Sequence, residues 1–172
     1  MSILKNIYTE LLLINNLVFK LCNFKLTEVN IELESEEYFA HTFKLNQKNI
    51  LFRTAKITPT KTGLFVTVWK RNNAGIIEPF NILDNIDFTI ISARRNHHFG
   101  IFIFPKSVLS QHKILSSETQ KGKLGTRVYP TWELANNNQA LKTQAWQTTY
   151  FIDLSVDKKI NIEKAMYLLN SN

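Results

Sequence analysis

The sequence has little cysteine, glycine or proline: its 172 residues include one Cys, five Gly and four Pro. The lone Cys22 cannot close an intramolecular disulfide or supply a thiolate zinc cluster, so we predict a fold that depends on neither. This cysteine usage favours a reducing, cytoplasmic setting. The composition excludes collagen-like and disordered chains, and the length with no internal repeat or linker predicts a single domain over residues 1–172.

The sequence also lacks a hydrophobic run long enough to cross a membrane. Its most apolar segment, residues 3–21, is interrupted by Lys5, Glu10 and Lys20 and precedes no small-residue cleavage site. We therefore predict neither a membrane span nor a signal peptide. Apolar residues in this segment recur at spacings of three and four, which is typical of an amphipathic helix. We predict a helix over residues 2–22 packed on the core, and dimerisation through it stays an open alternative.

The usual signatures of nucleophilic catalysis are missing as well. Cys22 lies within the predicted apolar helix, and there is no Gly-x-Ser-x-Gly turn to present a serine. His97 and His98 are adjacent, so on an extended segment their side chains point in opposite directions, and no acidic or cysteine ligand flanks them. We assign no metal ligands, and we do not expect hydrolysis by an activated Ser or Cys.

Positive charge is in excess and is unevenly distributed. The chain contains 21 Lys and Arg against 14 Asp and Glu, a net charge of +7. Residues 94–147 hold eight basic and two acidic residues, so this segment carries +6 of the total. Trp132, Gln144 and Trp146 lie among these charges. Such a combination favours phosphate neutralisation and base stacking if the rings are exposed, whereas a solvated basic surface would give the same composition. For Trp132 and Trp146 themselves, a place in the core is the simpler interpretation.

The hydrophobic pattern predicts strands in the middle of the chain and helices at both ends. Strands are predicted at 38–45, 49–57, 63–70, 86–93 and 100–104, and later helices at 138–150 and 161–169. A polar turn at 46–48 joins the first two strands, and Asn161 is a candidate N-cap. This order predicts an α/β (α+β) fold with a mixed, largely antiparallel sheet flanked by helices.

One pair of residues matches part of a magnesium nuclease site. A restriction-endonuclease core places an Asp on one strand and an acid-x-Lys on its neighbour. Asp87 begins one predicted strand and Lys106 follows the next, but Phe104 occupies the position of the middle acid and cannot ligate a metal. A nuclease would therefore need Glu36 or Glu37 as a replacement, and surface acids without a shared function are the simpler interpretation.

Several strings of the sequence, extending from about Glu37 to Phe151, resemble the MepB family. They are FRTAKITPTKTG (52–63), FVTVWKR (65–71), FIFPKS (102–107), GKLGTRVYPTW (122–132) and TQAWQ (143–147). Members are small bacterial cytoplasmic proteins of unsettled biochemical role, in some bacteria encoded beside a multidrug efflux pump and its regulator. The resemblance implies a restriction-endonuclease-like fold and, through it, nucleic-acid binding.

The leading hypothesis is a nucleic-acid-binding protein with a degenerate nuclease-like site. The cations of the family-like strings fall at strand ends and loops, where side chains can converge on one groove. The predicted phosphate-contacting residues are Arg53, Lys56, Thr58, Thr60, Lys61, Lys70, Arg71, Lys106, Lys123 and Arg127. Two alternatives stay open: a magnesium-dependent nuclease with Asp87 and Lys106 as catalytic residues, and a protein-interaction module. No cofactor is expected, except magnesium in the nuclease alternative.

Overall fold

The computed structural model describes residues 3–32 and 38–171. In this part of the chain the strands are β1 (Leu26–Ile31), β2 (His41–Leu45), β3 (Lys48–Thr54), β4 (Lys56–Ile57), β5 (Leu64–Thr67), β6 (Trp69–Arg71), β7 (Ile77–Pro79), β8 (Phe88–Arg95), β9 (His98–Pro105), β10 (Gly125–Val128) and β11 (Phe151–Asp153). The helices are α1 (Ile3–Ile14), α2 (Lys106–Gln111), α3 (Asn138–Gln147) and α4 (Ile162–Asn170). A π-helical turn at Asn15–Phe19 extends α1, and a 3₁₀ turn at Thr148–Tyr150 extends α3.

The main sheet has six strands in the order β1-β2-β3-β8-β9-β11. Its neighbours are antiparallel except β3 and β8, which are parallel. The mixed, largely antiparallel sheet predicted from the sequence is therefore confirmed. Asn46 adopts a φ of 55° in the tight turn between β2 and β3, a backbone region that Asn tolerates better than most residues. The restriction-endonuclease-like arrangement stays a prediction, as does the single domain.

Both faces of this sheet are covered. Phe52 and Ile90 belong to one buried cluster with side chains of α1 and α4, whereas their neighbours Leu51 and Ile91 belong to a second cluster with side chains of α2, β5 and β10. Successive side chains of a strand point to opposite faces, so a strand covered on both faces is apolar throughout. The main sheet is thus the middle of three layers.

The N-terminal helix contributes buried residues to the core and changes geometry midway. The α-helix ends at Ile14 and continues as the π-helical turn, and residue 2 lies outside the described residues. Leu11, Ile14 and Val18 are buried, while Leu21 is 56% exposed. The change of geometry coincides with Asn15-Asn16, and asparagine favours helices less than the residues before it. Dimerisation through this helix stays a prediction.

The third layer contains a three-stranded sheet in the order β10-β5-β4. The strand predicted at 63–70 is in fact two strands, because β5 pairs with β4 and β10 whereas β6 pairs with β7 in a separate two-stranded sheet. β10 lies in a segment whose Gly, Ser and Lys content predicts a loop. Its antiparallel register pairs Arg127 with Phe65 and brings the 122–132 string beside the 65–71 string.

Asparagine caps begin the two C-terminal helices. The Asn137 side chain accepts a hydrogen bond from Ala140 N at 2.9 Å at the start of α3, and Asn161 accepts from Lys164 N at 2.9 Å at the start of α4. Each cap satisfies a backbone N–H that lacks a helical partner. None of the helices in residues 3–32 and 38–171 is both long and apolar enough to span a membrane.

Candidate anion-binding cleft

A cleft of about 630 Å³ opens between the three-stranded sheet and α3. We call it the basic cleft. Its walls are residues 60–62 of the β4–β5 loop, residues 123 and 125–127 leading into and along β10, one face of α3 from Gln139 to Trp146, and His112, which follows α2. These parts are distant in the sequence and meet because β10 pairs with β5 while α3 packs beside it.

The charge of the basic cleft has one sign. Lys61, Lys123 and Arg127 line it, and its described lining contains no carboxylate. Lys61 and Lys123 are exposed, and neither forms an ion pair with any residue in the described ranges. Two unpaired ammonium groups beside a guanidinium raise the local positive potential, which a bound anion would neutralise.

Arg127 organises the loop that carries Lys61. Its Nη1 donates to Gly63 O at 2.9 Å and to Thr62 O at 3.3 Å, and its Nη2 donates to Thr58 Oγ1 at 2.7 Å. These contacts connect β10 to both ends of the β4–β5 loop, at residues 58, 62 and 63. The guanidinium therefore supplies positive charge to the cleft and also fixes the shape of one wall.

The same loop requires glycine at its end. Gly63 has a φ of +75°, and a Cβ there would lie 2.5 Å from the Tyr129 ring. Its N–H donates to Glu133 Oε1 at 2.9 Å, and Glu133 is buried and also accepts from Arg95 Nη2 at 3.2 Å. The loop therefore has one defined conformation, which a side chain at position 63 would disturb.

A second glycine positions Lys123. A Cβ on Gly122 would lie 2.5 Å from Ile114 O and 2.6 Å from Ser116 N, so only glycine fits this close approach of two backbone segments. Lys123 N donates to Ile114 O at 2.9 Å directly after it. The Lys123 backbone is thus held at the edge of the cleft, which the exposed Lys123 side chain lines.

Aromatic rings and a helix terminus complete the lining. The rings of His112 and Trp146 stack with centroids 3.7 Å apart and planes 9° from parallel. Burial, and next the charge of Lys123, lower the pKa of His112 below its ordinary 6.5, so the ring is neutral at physiological pH. Residues 137, 139 and 140 place the N-terminus of α3 at the cleft, and the partial positive charge of a helix N-terminus favours anions.

The cleft unites five of the ten predicted phosphate-contacting residues. Thr60, Lys61, Lys123 and Arg127 line it, and Thr58 is tied to it through Arg127. Sequence reasoning missed other lining residues, among them His112, Thr126, Asn136, Gln139 and Thr143. The Asn137 cap signal locates the start of α3, but no local pattern shows that this helix end faces β10.

Three predicted cations lie elsewhere. Lys56 is on β4, with its ammonium 4.5 Å from the centre of the Tyr38 ring. Lys70 and Arg71 are on β6, outside the basic cleft: Lys70 Nζ pairs with Asp84 Oδ1 at 2.5 Å, and Arg71 Nη1 donates to Gly75 O at 2.7 Å. The structure therefore separates these side chains from the cleft and gives the β6 pair local partners.

Arg53 is inside the protein and is not accessible to a phosphate, so we no longer include it among the phosphate-contacting residues. Its side chain is 1% exposed, and its Nη2 donates to Glu32 Oε2 at 2.6 Å while its Nη1 donates to Phe52 O at 2.8 Å. Burial lowers the pKa of this guanidinium, and Glu32 opposes that change. Arg53 is buried because β3 lies in the middle of a sheet that is covered on both faces.

The two predicted catalytic residues share a separate cavity of about 480 Å³. There Asp87 Oδ2 accepts from Asn49 N at 2.7 Å, and Lys106 Nζ donates to Asp84 O at 2.6 Å. Phe104 is 1% exposed and belongs to the core. Glu36 and Glu37 lie outside the described residues. Within residues 3–32 and 38–171, no group of three His, Cys, Asp or Glu side chains could hold a metal ion.

Comparison with known proteins agrees with the resemblance in the sequence. The MepB-like family model matches residues 32–153, which include the lining of the basic cleft. A solved structure described as the crystal structure of MepB is 34% identical, with a TM-score of 0.74, and the match covers 78% of this chain and 89% of that one. No curated protein matches the sequence. The protein whose basic cleft is described above therefore belongs to the MepB-like family.

Proposed function

We propose that this protein binds nucleic acid by placing backbone phosphates in the basic cleft. The observation that supports this most strongly is the set of Lys61, Lys123 and Arg127 around a cleft whose described lining contains no carboxylate. Cations that lack an acidic partner among residues 3–32 and 38–171 are available to a polyanion, and binding releases the counterions condensed on the phosphates.

The neutral groups of the cleft fit the same ligand. Thr60, Thr126 and Thr143 supply hydroxyls, and Asn136 and Gln139 supply amides. Hydroxyls and amides are common partners of phosphate and sugar oxygens, and such contacts fix position without reading sequence. The lining therefore predicts binding with little sequence preference.

The nuclease alternative has less support. Lys106 Nζ is engaged with a backbone carbonyl, and Phe104 lies in the core where the metal-binding acid would be needed. Phe104 also packs against Trp146, with ring centroids 5.4 Å apart. The position that a nuclease would use for an acid therefore supports the wall of the basic cleft instead.

Salt dependence of binding tests the proposal. We expect the affinity for a fluorescently labelled single strand, measured by anisotropy, to fall roughly 20-fold between about 50 and 200 mM NaCl, because three phosphate contacts on a single strand give a log–log slope of about −2. An affinity that does not change over this range would rule out phosphate neutralisation as the basis of binding.

A further inference from the structure

A second depression adjoins the basic cleft on the α3 side. It measures about 500 Å³ and is lined by His112, Asn138, Gln139, Lys142, Thr143 and Trp146. We call it the aromatic groove. Four of these residues, including His112 and Trp146, also line the basic cleft. The stacked rings therefore lie where the two depressions meet.

Neighbouring residues fix the positions of the stacked His112 and Trp146 rings. Trp146 contacts Phe104 and Tyr150, with ring centroids 5.4 and 6.5 Å away. The His112 backbone N–H donates to Val108 O at 3.0 Å at the end of α2. Both rings are nonetheless partly exposed. A fixed, flat and accessible aromatic surface loses little conformational entropy when another ring stacks on it.

The polar residues of the aromatic groove suit a base and the next phosphate. Asn138 and Gln139 are exposed, and their amides both donate and accept hydrogen bonds, as the edges of nucleobases do. Lys142 is exposed one helical turn further along α3. No carboxylate occurs in the described lining of this groove. A strand leaving the basic cleft would thus meet rings, amides and a cation in turn.

We propose that a nucleobase stacks on the His112–Trp146 pair in the aromatic groove while its phosphate lies in the basic cleft, so that the protein selects single-stranded over duplex nucleic acid. This inference rests on the proposed function. Bases of a duplex are stacked on one another and are not available to a protein ring, whereas every base of a single strand has an accessible π-face.

The test compares three probes at pH 8, where His112 is neutral: a labelled single strand, the duplex of the same sequence, and inorganic polyphosphate. We expect the wild-type protein to bind the single strand at least fivefold more tightly than the duplex, since one stacked base contributes at least that factor. His112→Leu keeps an apolar side chain against Trp146. It should lower the single-strand affinity about fivefold or more and leave the polyphosphate affinity unchanged.

His97→Leu is the matched control, because His97 is exposed in the β8–β9 turn and lies outside both depressions. It should change neither affinity. Trp146→Phe provides a second readout: single-strand binding should quench tryptophan fluorescence in the wild-type protein and much less in this variant. Equal affinity for strand and duplex, or a His112→Leu loss that polyphosphate shares, would overturn the stacking inference alone. Failure of all three probes to bind the wild-type protein would overturn the proposed function as well.

Discussion

Exchange of Lys61 and Lys123 for glutamate should weaken nucleic-acid binding about 100-fold at low ionic strength, because each substitution removes one phosphate contact and adds a repulsive charge. Both side chains are exposed and unpaired within the described chain. Surface substitutions of this kind change the free energy of unfolding by only about 0.5 kcal/mol. The loss should therefore appear in anisotropy titrations while the thermal unfolding curve stays close to that of the wild-type protein.

Lys158→Glu with Lys159→Glu provides the matched control. Both lysines are exposed in the loop between β11 and α4 and lie outside the basic cleft. Because two lysines are again replaced by glutamate, this variant has the same net charge as the Lys61→Glu, Lys123→Glu protein. Its affinity should decrease only a few-fold, through the weaker long-range field. If the two double variants lost affinity equally, binding would depend on overall charge and the basic cleft would have no special part in it.

Replacement of Arg53 by alanine should lower the free energy of unfolding by about 3–5 kcal/mol, the range for breaking a buried ion pair and for emptying a large core position. Arg53 is among the largest fully buried side chains, and it bonds to Glu32 and Phe52. Alanine would leave a cavity in β3 and remove the partner of Glu32. Urea unfolding followed by circular dichroism measures the change.

Arg53→Met separates packing from charge. Methionine fills much of the same volume, and the Glu32 carboxylate, about one-third exposed, can turn to water, so a much smaller loss of stability is expected. Because Arg53 is buried, the Arg53→Met protein should bind nucleic acid as tightly as the wild-type protein does. A stable Arg53→Met protein with weakened binding would show that Arg53 does contact phosphate.

Arg53 also illustrates the limit of pattern reasoning. An arginine is normally exposed, and nothing local shows that β3 lies between two layers. Its partner Glu32 is 21 positions earlier in the chain, just after β1. The sequence does not predict β1, because its Glu and Asn residues interrupt the hydrophobic pattern. Local sequence therefore predicts that β3 exists, but the burial of Arg53 on it depends on layers assembled from distant segments.

The basic cleft shows which part of a site the sequence does predict. The charge excess in residues 94–147 and the Lys61 loop were both recognisable, and both contribute to the cleft. What could not be predicted is that Lys123 faces the cleft while Lys106 does not. That difference depends on the β10–β5 pairing and on the close backbone approach at Gly122. Such contacts follow from tertiary packing, which spacing along one chain does not encode.

The most direct test of the account is to locate the bound strand by photo-cross-linking. A single strand containing photoreactive bases would be irradiated with the wild-type protein, and the cross-linked peptides would be identified by mass spectrometry. We predict cross-links in the segment around His112, in residues 121–127 and in α3 near Trp146. Cross-links confined to Lys70 and Arg71 on β6, or to the cavity of Asp87 and Lys106, would contradict the assignment of the basic cleft as the nucleic-acid site.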